Sequence, residues 1–455
     1  MKKIFISLGI LLASATAMAQ VSNVMYSSTR VPQMNALNPA FYPANNRFYI
    51  ALPGVNMQLQ SPLAISDIMQ YDAAAGQTNV NLNNLVSSLA ENGSLNLDAN
   101  IHLAGLGLKV GHGFLTASAM VKTSMHLGIP TGLMTFLNDG NYAHRGEKME
   151  LVDGSLLNGQ AYTEVAVGYG RELIEGLTVG ARLKVLNGLA SATTAGSSLS
   201  LTTAEDLSSM EATLATRVQY SMFQMKDSTG ASSINPITNN WGWGLDLGAR
   251  YKWGMFDFSA SVSDLGKGIE WKDNLKSIVS RNSEGGVFRF EGLDVTSLIS
   301  GGSLDSNITN ALADSITAML QYDVMDGESF VTRVPTKISA GVMVNPISIV
   351  RAGVLFHGEI DRYVNAEDAF SKLRSNTTLL GNVNLNDWVE VMVSASIVGD
   401  GDHVSWFNPG VGVNLSLMRS FQLYAMVDYI SNLRLVECKS FNLAVGLNLL
   451  LGNRK

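Results

Sequence analysis

Charge is what this chain has least of. Only 15% of its 455 residues are Asp, Glu, Lys or Arg, against roughly a quarter in soluble globular chains. Long apolar runs are absent too: beyond the N-terminus nothing approaches the ~18 uninterrupted residues of a membrane-spanning helix, which excludes a helical membrane protein. The single cysteine, Cys438, excludes an intramolecular disulfide, so an exported form must be stabilised in another way, for which a large hydrogen-bonded sheet would suffice. Basic residues are outnumbered 31 to 38, for a net charge of −7; without a basic footprint, nucleic acid is excluded as a partner. Proline is scarce, at 10 residues, while glycine, at 43, is somewhat enriched.

The first residues supply an address. Lys2 and Lys3 precede the apolar Ile4 to Leu12, and Ala17-Met18-Ala19 stands before Gln20. Charged region, short apolar region and small-residue cleavage site together read as a secretory signal peptide over 1–19, too short for an anchor. Loss of Lys2 and Lys3 with it leaves the mature chain more acidic still.

Beyond residue 95 the dominant pattern has period two, the period of a strand. Val165, Val167 and Tyr169 alternate with Glu164, Ala166 and Gly168, and Leu183 and Val185 with Arg182 and Lys184. Trp243, Leu245, Leu247 and Tyr251 alternate with Gly244, Asp246 and Arg250, and the last seventy residues form a meander of the same kind. One face of each strand is apolar; the other carries Gly, Ser, Thr, Asn and charge. In a soluble sandwich the apolar faces meet each other, whereas in an outer-membrane barrel they meet lipid and the polar faces line the interior. Scale favours the barrel, since about fourteen such strands exceed an ordinary sandwich and closure leaves no unpaired edge in lipid. Tyr169, Tyr251, Trp253, Trp388, Phe421 and Tyr429 stand where interfacial aromatics are expected, and Trp271 reads as an interface anchor.

The expected fold is therefore an all-β transmembrane antiparallel barrel over 96–455, preceded by an N-terminal segment, 20–95, that either plugs the lumen or straps its lower mouth. That segment carries Asn38-Pro39-Ala40 and a short helix over 83–91, with Ile65, Ile68, Met69, Leu85 and Leu89 as its apolar residues. A helix-bearing loop insertion is expected over 290–330, its helix over 305–316 where Ile308, Leu312 and Ile316 have helical spacing, and an amphipathic helix over 366–374. Asp264-Leu265-Gly266 reads as a strand-to-turn device, Asp bonding nearby amides and Gly supplying positive φ.

The sequence carries no signature of catalytic chemistry. None of the six histidines lies in H-E-x-x-H, and there is no G-x-S-x-G, phosphate-binding loop or cysteine pair. His357, Glu359 and Asp361 share one strand face, but a polar strand end explains them. Lys109, His112 and Lys122 read as solvated. No enzyme, cofactor or metal is expected.

The run from Ser259 to Asn274, with Asp264-Leu265-Gly266 followed by Ile269-Glu270-Trp271, resembles a family of outer-membrane barrels of the Bacteroides group whose function is unknown. Phe290-Glu291-Gly292-Leu293-Asp294 and Val334-Pro335-Thr336-Lys337 extend the resemblance, and with Asn38-Pro39-Ala40 it spans most of the mature chain. More distantly the arrangement is similar to long-chain fatty-acid transporter barrels and to barrel subunits of the type nine secretion system, which also begin with Asn-Pro-Ala near the plug. The resemblance implies outer-membrane lipid and the barrel assembly machinery as partners. It also implies either a transport channel for a small hydrophobic molecule or a structural barrel holding secretion components.

Overall fold

The computed structural model describes residues 22–43, 46–61, 64, 66, 69–72, 77–80, 94–153, 156–194, 197–222, 237–280, 286–290, 321–359, 374–400, 403–417, 420–430 and 437–452. Fourteen antiparallel strands close on themselves. They are β1 (Phe48–Gln60), β2 (Ser94–Val110), β3 (Gly113–Gly128), β4 (Leu157–Ile174), β5 (Leu177–Thr193), β6 (Trp241–Trp253), β7 (Phe256–Trp271), β8 (Lys337–Ile347), β9 (Val350–Glu359), β10 (Arg374–Asn384), β11 (Val389–Asp400), β12 (His403–Leu417), β13 (Phe421–Asp428) and β14 (Ser440–Leu451). Each pairs with its neighbour in sequence, and β1 closes the ring against β14 from Phe48↔Leu451 to Gln60↔Ser440. Closure leaves the wall without a free edge, the condition for a sheet in lipid.

The faces divide as the alternation requires. Val165, Val167, Leu183, Val185, Leu247 and Val393 are exposed on the outside, while Glu164, Arg182, Lys184, Asp246 and Ser394 are buried inside. On β6 the exposed Trp243 and Trp253 are ten residues apart. At about 3.3 Å per residue and a tilt near 40°, that places them roughly 25 Å apart along the barrel axis, the height of a lipid-facing band. Tyr169, Tyr251 and Trp388 are exposed in the same way.

Short turns gather at one end, between Val110 and Gly113, Ile174 and Leu177, Trp253 and Phe256, and Ile347 and Val350. Gly111, Gly176 and Gly254 take the positive φ these turns need. Long connections gather at the other end, where the strands Arg217–Met222, Leu275–Ser280, Tyr322–Asp326 and Phe330–Thr332 continue the wall beyond its rim. A separate sheet of Lys148–Asp153, Ser198–Thr203, Met210–Ala215 and Gly286–Phe290 carries the helix Thr131–Asp139 against it. No helix among the described residues is long and apolar enough to cross a membrane.

Several expectations change. The barrel starts at Phe48, not at residue 96, because β1 pairs with both β2 and β14. Within 290–330, Tyr322–Asp326 is strand rather than loop. The helices expected over 83–91, 305–316 and 366–374 lie outside the described residues, apart from Arg374, which opens β10; the signal peptide also lies outside them. Tyr429 is not a girdle residue: it is 3% exposed, its φ is +56°, and its hydroxyl meets Asn23 at 2.6 Å inside the barrel.

Candidate functional site in the lumen

A fourteen-stranded wall encloses more space than its own side chains fill. Residues 22–43 run through that space, from Asn376 and Tyr429 near the long-connection ends of β10 and β13 down to the short β10–β11 turn that Arg30 touches. Their first part is the helical turn Asn23–Tyr26, buried throughout. Ser22 and the amide of Val24 donate to Asp428, and Asn23 donates to Asn376 at 2.9 Å and Thr378 at 2.8 Å. Ser28 Oγ and the Thr29 amide donate to the two oxygens of Glu390, at 2.7 and 3.1 Å. Arg351 and Asn382 donate to the carbonyl of Ser27. Tyr26 meets Ser259 at 2.6 Å; burial pushes its phenol up to about 12, so this contact is between neutral hydroxyls. Beneath these polar contacts Val24, Met25, Tyr26, Met34, Leu37 and Phe41 form an apolar cluster with Met343, Leu355, Met392 and Met426 of the wall.

The second part is Asn38-Pro39-Ala40, whose side chains and backbone lie on a shelf of glycines. Gly170, Gly180 and Gly248 form one row across β4, β5 and β6, continued by Ser261 on β7. A Cβ on Gly180 would strike the carbonyl of Pro39, and one on Gly248 would strike the Asn38 amide. Asn38 Nδ2 donates to the carbonyls of Ala249 and Ala260, and Ser261 donates to that of Leu37. Of the segment expected over 20–95 to plug the lumen or strap its mouth, residues 22–43 lie inside the barrel, with Asn38, Pro39 and Ala40 seated on this shelf. Of the apolar residues of the 20–95 segment, Ile65, Ile68, Leu85 and Leu89 lie outside the described residues, and Met69 falls on a two-stranded sheet with Gln77–Val80.

Beside the plug, five strands place six charges together. Glu164 pairs with Lys122 at 2.5 Å and Arg182 at 3.4 Å; Lys184 pairs with Asp246 at 2.7 Å and Asp264 at 2.6 Å; Arg182 reaches Asp246 at 3.7 Å. Three cations answer three carboxylates, the condition under which buried charge is tolerated. Lys122 is therefore an interior ion-pair partner rather than solvated, whereas Lys109 and His112 are exposed. Asp264 is not at a turn. It bulges within β7 at φ +60°, its amide bonds Asp246, and its carboxylate holds Lys184. Leu265 lies opposite Leu245, and Gly268 rather than Gly266 takes positive φ.

Trp271 is not an interface anchor either. It is wholly buried with Tyr162, Leu186 and Ile269, stacks on Phe330, and donates from Nε1 to Thr332 at 2.8 Å. Its ring lies over Gly188 on the inner face, towards the long-connection end.

Between plug and charge cluster remains a cavity of about 80 Å³, lined by Met25, Leu37, Asn56, Asn100, His102, Met120, Lys184, His357 and Tyr424 among others. His357 and Glu359 are both buried, while Asp361, expected beside them, lies outside the described residues. Among the described residues no group of three metal-ligating side chains comes together.

The sequence pattern of a family of unknown function, DUF5723, matches residues 39–428, and the chain belongs to that family. No curated protein matches it in sequence. Among solved structures it is similar to the toluene transporter TbuX of Ralstonia pickettii, at 8% identity and a TM-score of 0.48 over 97% of this chain and 100% of that one. It is also similar to the toluene transporter TodX of Pseudomonas putida, at 9% identity and 0.43 over 97% of each. A homologue of FadL from Pseudomonas aeruginosa matches at 9% and 0.43 over 95% and 98%.

Proposed function

We propose that this member of DUF5723 is an outer-membrane transport channel for small molecules with apolar character, held shut by its own N-terminal segment. One observation carries the reading: residues 22–43 lie inside the lumen, packed on its wall, while a cavity of mixed polar and apolar lining remains beside them. Much of the seal is hydrogen bonding to polar wall, which water can replace bond by bond, so it can be released without breaking the barrel. On this reading residues 1–19 export the chain, the barrel assembly machinery inserts it, outer-membrane lipid covers the apolar band, and the short turns face the periplasm.

A second reading, a barrel that holds secretion or surface components as the type nine subunits do, draws support from the strands that rise past the rim and the separate four-stranded sheet. Those elements offer a surface a simple channel does not need.

Planar bilayers and liposomes separate the two. Mature protein and a variant lacking 22–43 are compared for conductance and for uptake of labelled fatty acids and hydrophilic solutes. The deletion must stop before Phe48, since β1 is wall. Uptake above empty liposomes, raised by the deletion, supports the channel; a folded barrel silent in both forms moves the assignment to the scaffold.

A further inference from the structure

The charged groups beside the cavity have partners; several neutral ones do not. His102 and His357, 9% and 5% exposed, each keep a ring nitrogen, Nδ1 and Nε2 respectively, without a hydrogen-bond partner among the described residues. Asn56 Oδ1 and Asn100 Oδ1 are unpartnered as well, and all four residues line the one cavity. Asn56 and Asn100 face each other across β1 and β2, with His102 two residues further along the same face. His357 is held from the opposite wall, its Nδ1 2.8 Å from Ser339. Native interiors rarely leave such atoms unmet unless something else meets them.

We propose that the cavity binds a small neutral molecule bearing a hydroxyl group on an apolar body, that is, an alcohol. A hydroxyl both donates and accepts, so it satisfies an amide oxygen and either tautomer of an imidazole. No unanswered charge calls for a charged ligand: the carboxylates and cations beside the cavity pair with one another, and Lys337, the further cation in the lining, acts on Asp264. Met25 and Leu37 of the plug and Met120 of the wall supply an apolar floor. The space would hold about five waters, which sets the ligand near six heavy atoms. The proposal deepens the channel reading by naming a substrate class and rests on that reading for its biological sense.

The test uses mature protein in detergent with histidines labelled by nitrogen-15, titrated with cyclopentanol and, separately, with methylcyclopentane, which replaces the hydroxyl by a methyl. The expected result is a saturable shift of the His102 and His357 ring nitrogens with cyclopentanol, none with methylcyclopentane, and no shift of the exposed His112. In Asn100→Leu, verified as folded by heat-modifiable migration, the affinity for cyclopentanol falls about tenfold, the loss of one good hydrogen bond. Equal shifts with both probes, no shift with either, or an equal shift at His112 overturn the proposal and leave the cavity to water. Binding without transport in liposomes would keep the site and defeat the channel.

Discussion

The two halves of the plug are held by different physics. Residues 22–29 are gripped by carboxylates: Asp428 and Glu390 take donors from the segment, and Glu390 also takes Asn382 at 2.8 Å and Asn414 at 2.9 Å. Residues 38–40 rest on backbone where three glycines leave room, and there the fit is steric. A carboxylate grip weakens by degrees as bonds are exchanged with water. A steric seat either admits the chain or does not, so the seat should decide whether the barrel is sealed and the grip how firmly.

The sharpest way to break that contrast is Gly180→Val. Its branched side chain would occupy the place of the Pro39 carbonyl and the Ala40 amide, and backbone cannot step aside as a flexible side chain can. Overpacking of this kind costs about 1–3 kcal/mol or more. The plug should leave its seat, and bilayer conductance should rise to that of the barrel lacking 22–43. Gly159→Ala, whose added Cβ meets nothing closer than 3.8 Å, is the matched control and should stay closed. Should Gly180→Val also stay closed, the seat is not steric.

Glu390→Gln tests the grip. It keeps shape but turns an acceptor of four donors into a group with one oxygen and an opposing NH₂. Hydrogen bonds to a charged group contribute about 1.5–3 kcal/mol, so the unfolding midpoint should fall and brief openings should appear in the current record in place of a permanently open state. Asn38→Ala belongs to the seat but tests its hydrogen bonds, removing a double donor to the Ala249 and Ala260 carbonyls while Pro39 stays on the glycine shelf. A loss of about 1–2 kcal/mol is expected, with openings rarer than in Glu390→Gln.

The wall was legible because lipid and lumen impose opposite demands on alternate residues. It failed where a bulge changes the phase. In β1 the register slips between Ala51 and Gly54, so Phe48 and Ile50 are on one phase and Val55 and Met57 on the other, and no single alternation runs through the segment. Trp271 was readable after all. Phe256 and Phe258 face out and Asp257 and Ser261 face in; two bulges in β7 each add a residue and cancel, so Trp271 keeps the inward parity of Asp257. Tyr429 breaks parity through its positive φ, which alternation does not carry. The shelf under Asn38-Pro39-Ala40 was hidden for another reason. Gly170, Gly180 and Gly248 are far apart in sequence and become one row only through strand register. The interior charges were visible as polar-face residues, but which cation meets which carboxylate depends on that same register.

The smallest effect should come from Arg30, where the plug reaches the rim. Its guanidinium donates to the carbonyls of Asn386 at 3.1 Å and Asp387 at 2.9 Å, in an exposed setting beside the β10–β11 turn. These are the contacts that water replaces most readily, because donor and acceptors stay solvated when the bond is lost. Arg30→Ala should therefore change stability by no more than about 0.5 kcal/mol, the range for surface substitutions away from special features, and leave the closed state unaltered in bilayers. An Arg30→Ala barrel as leaky as Glu390→Gln would mean that the segment is tied down at its mouth and that the interior carboxylates only fill space.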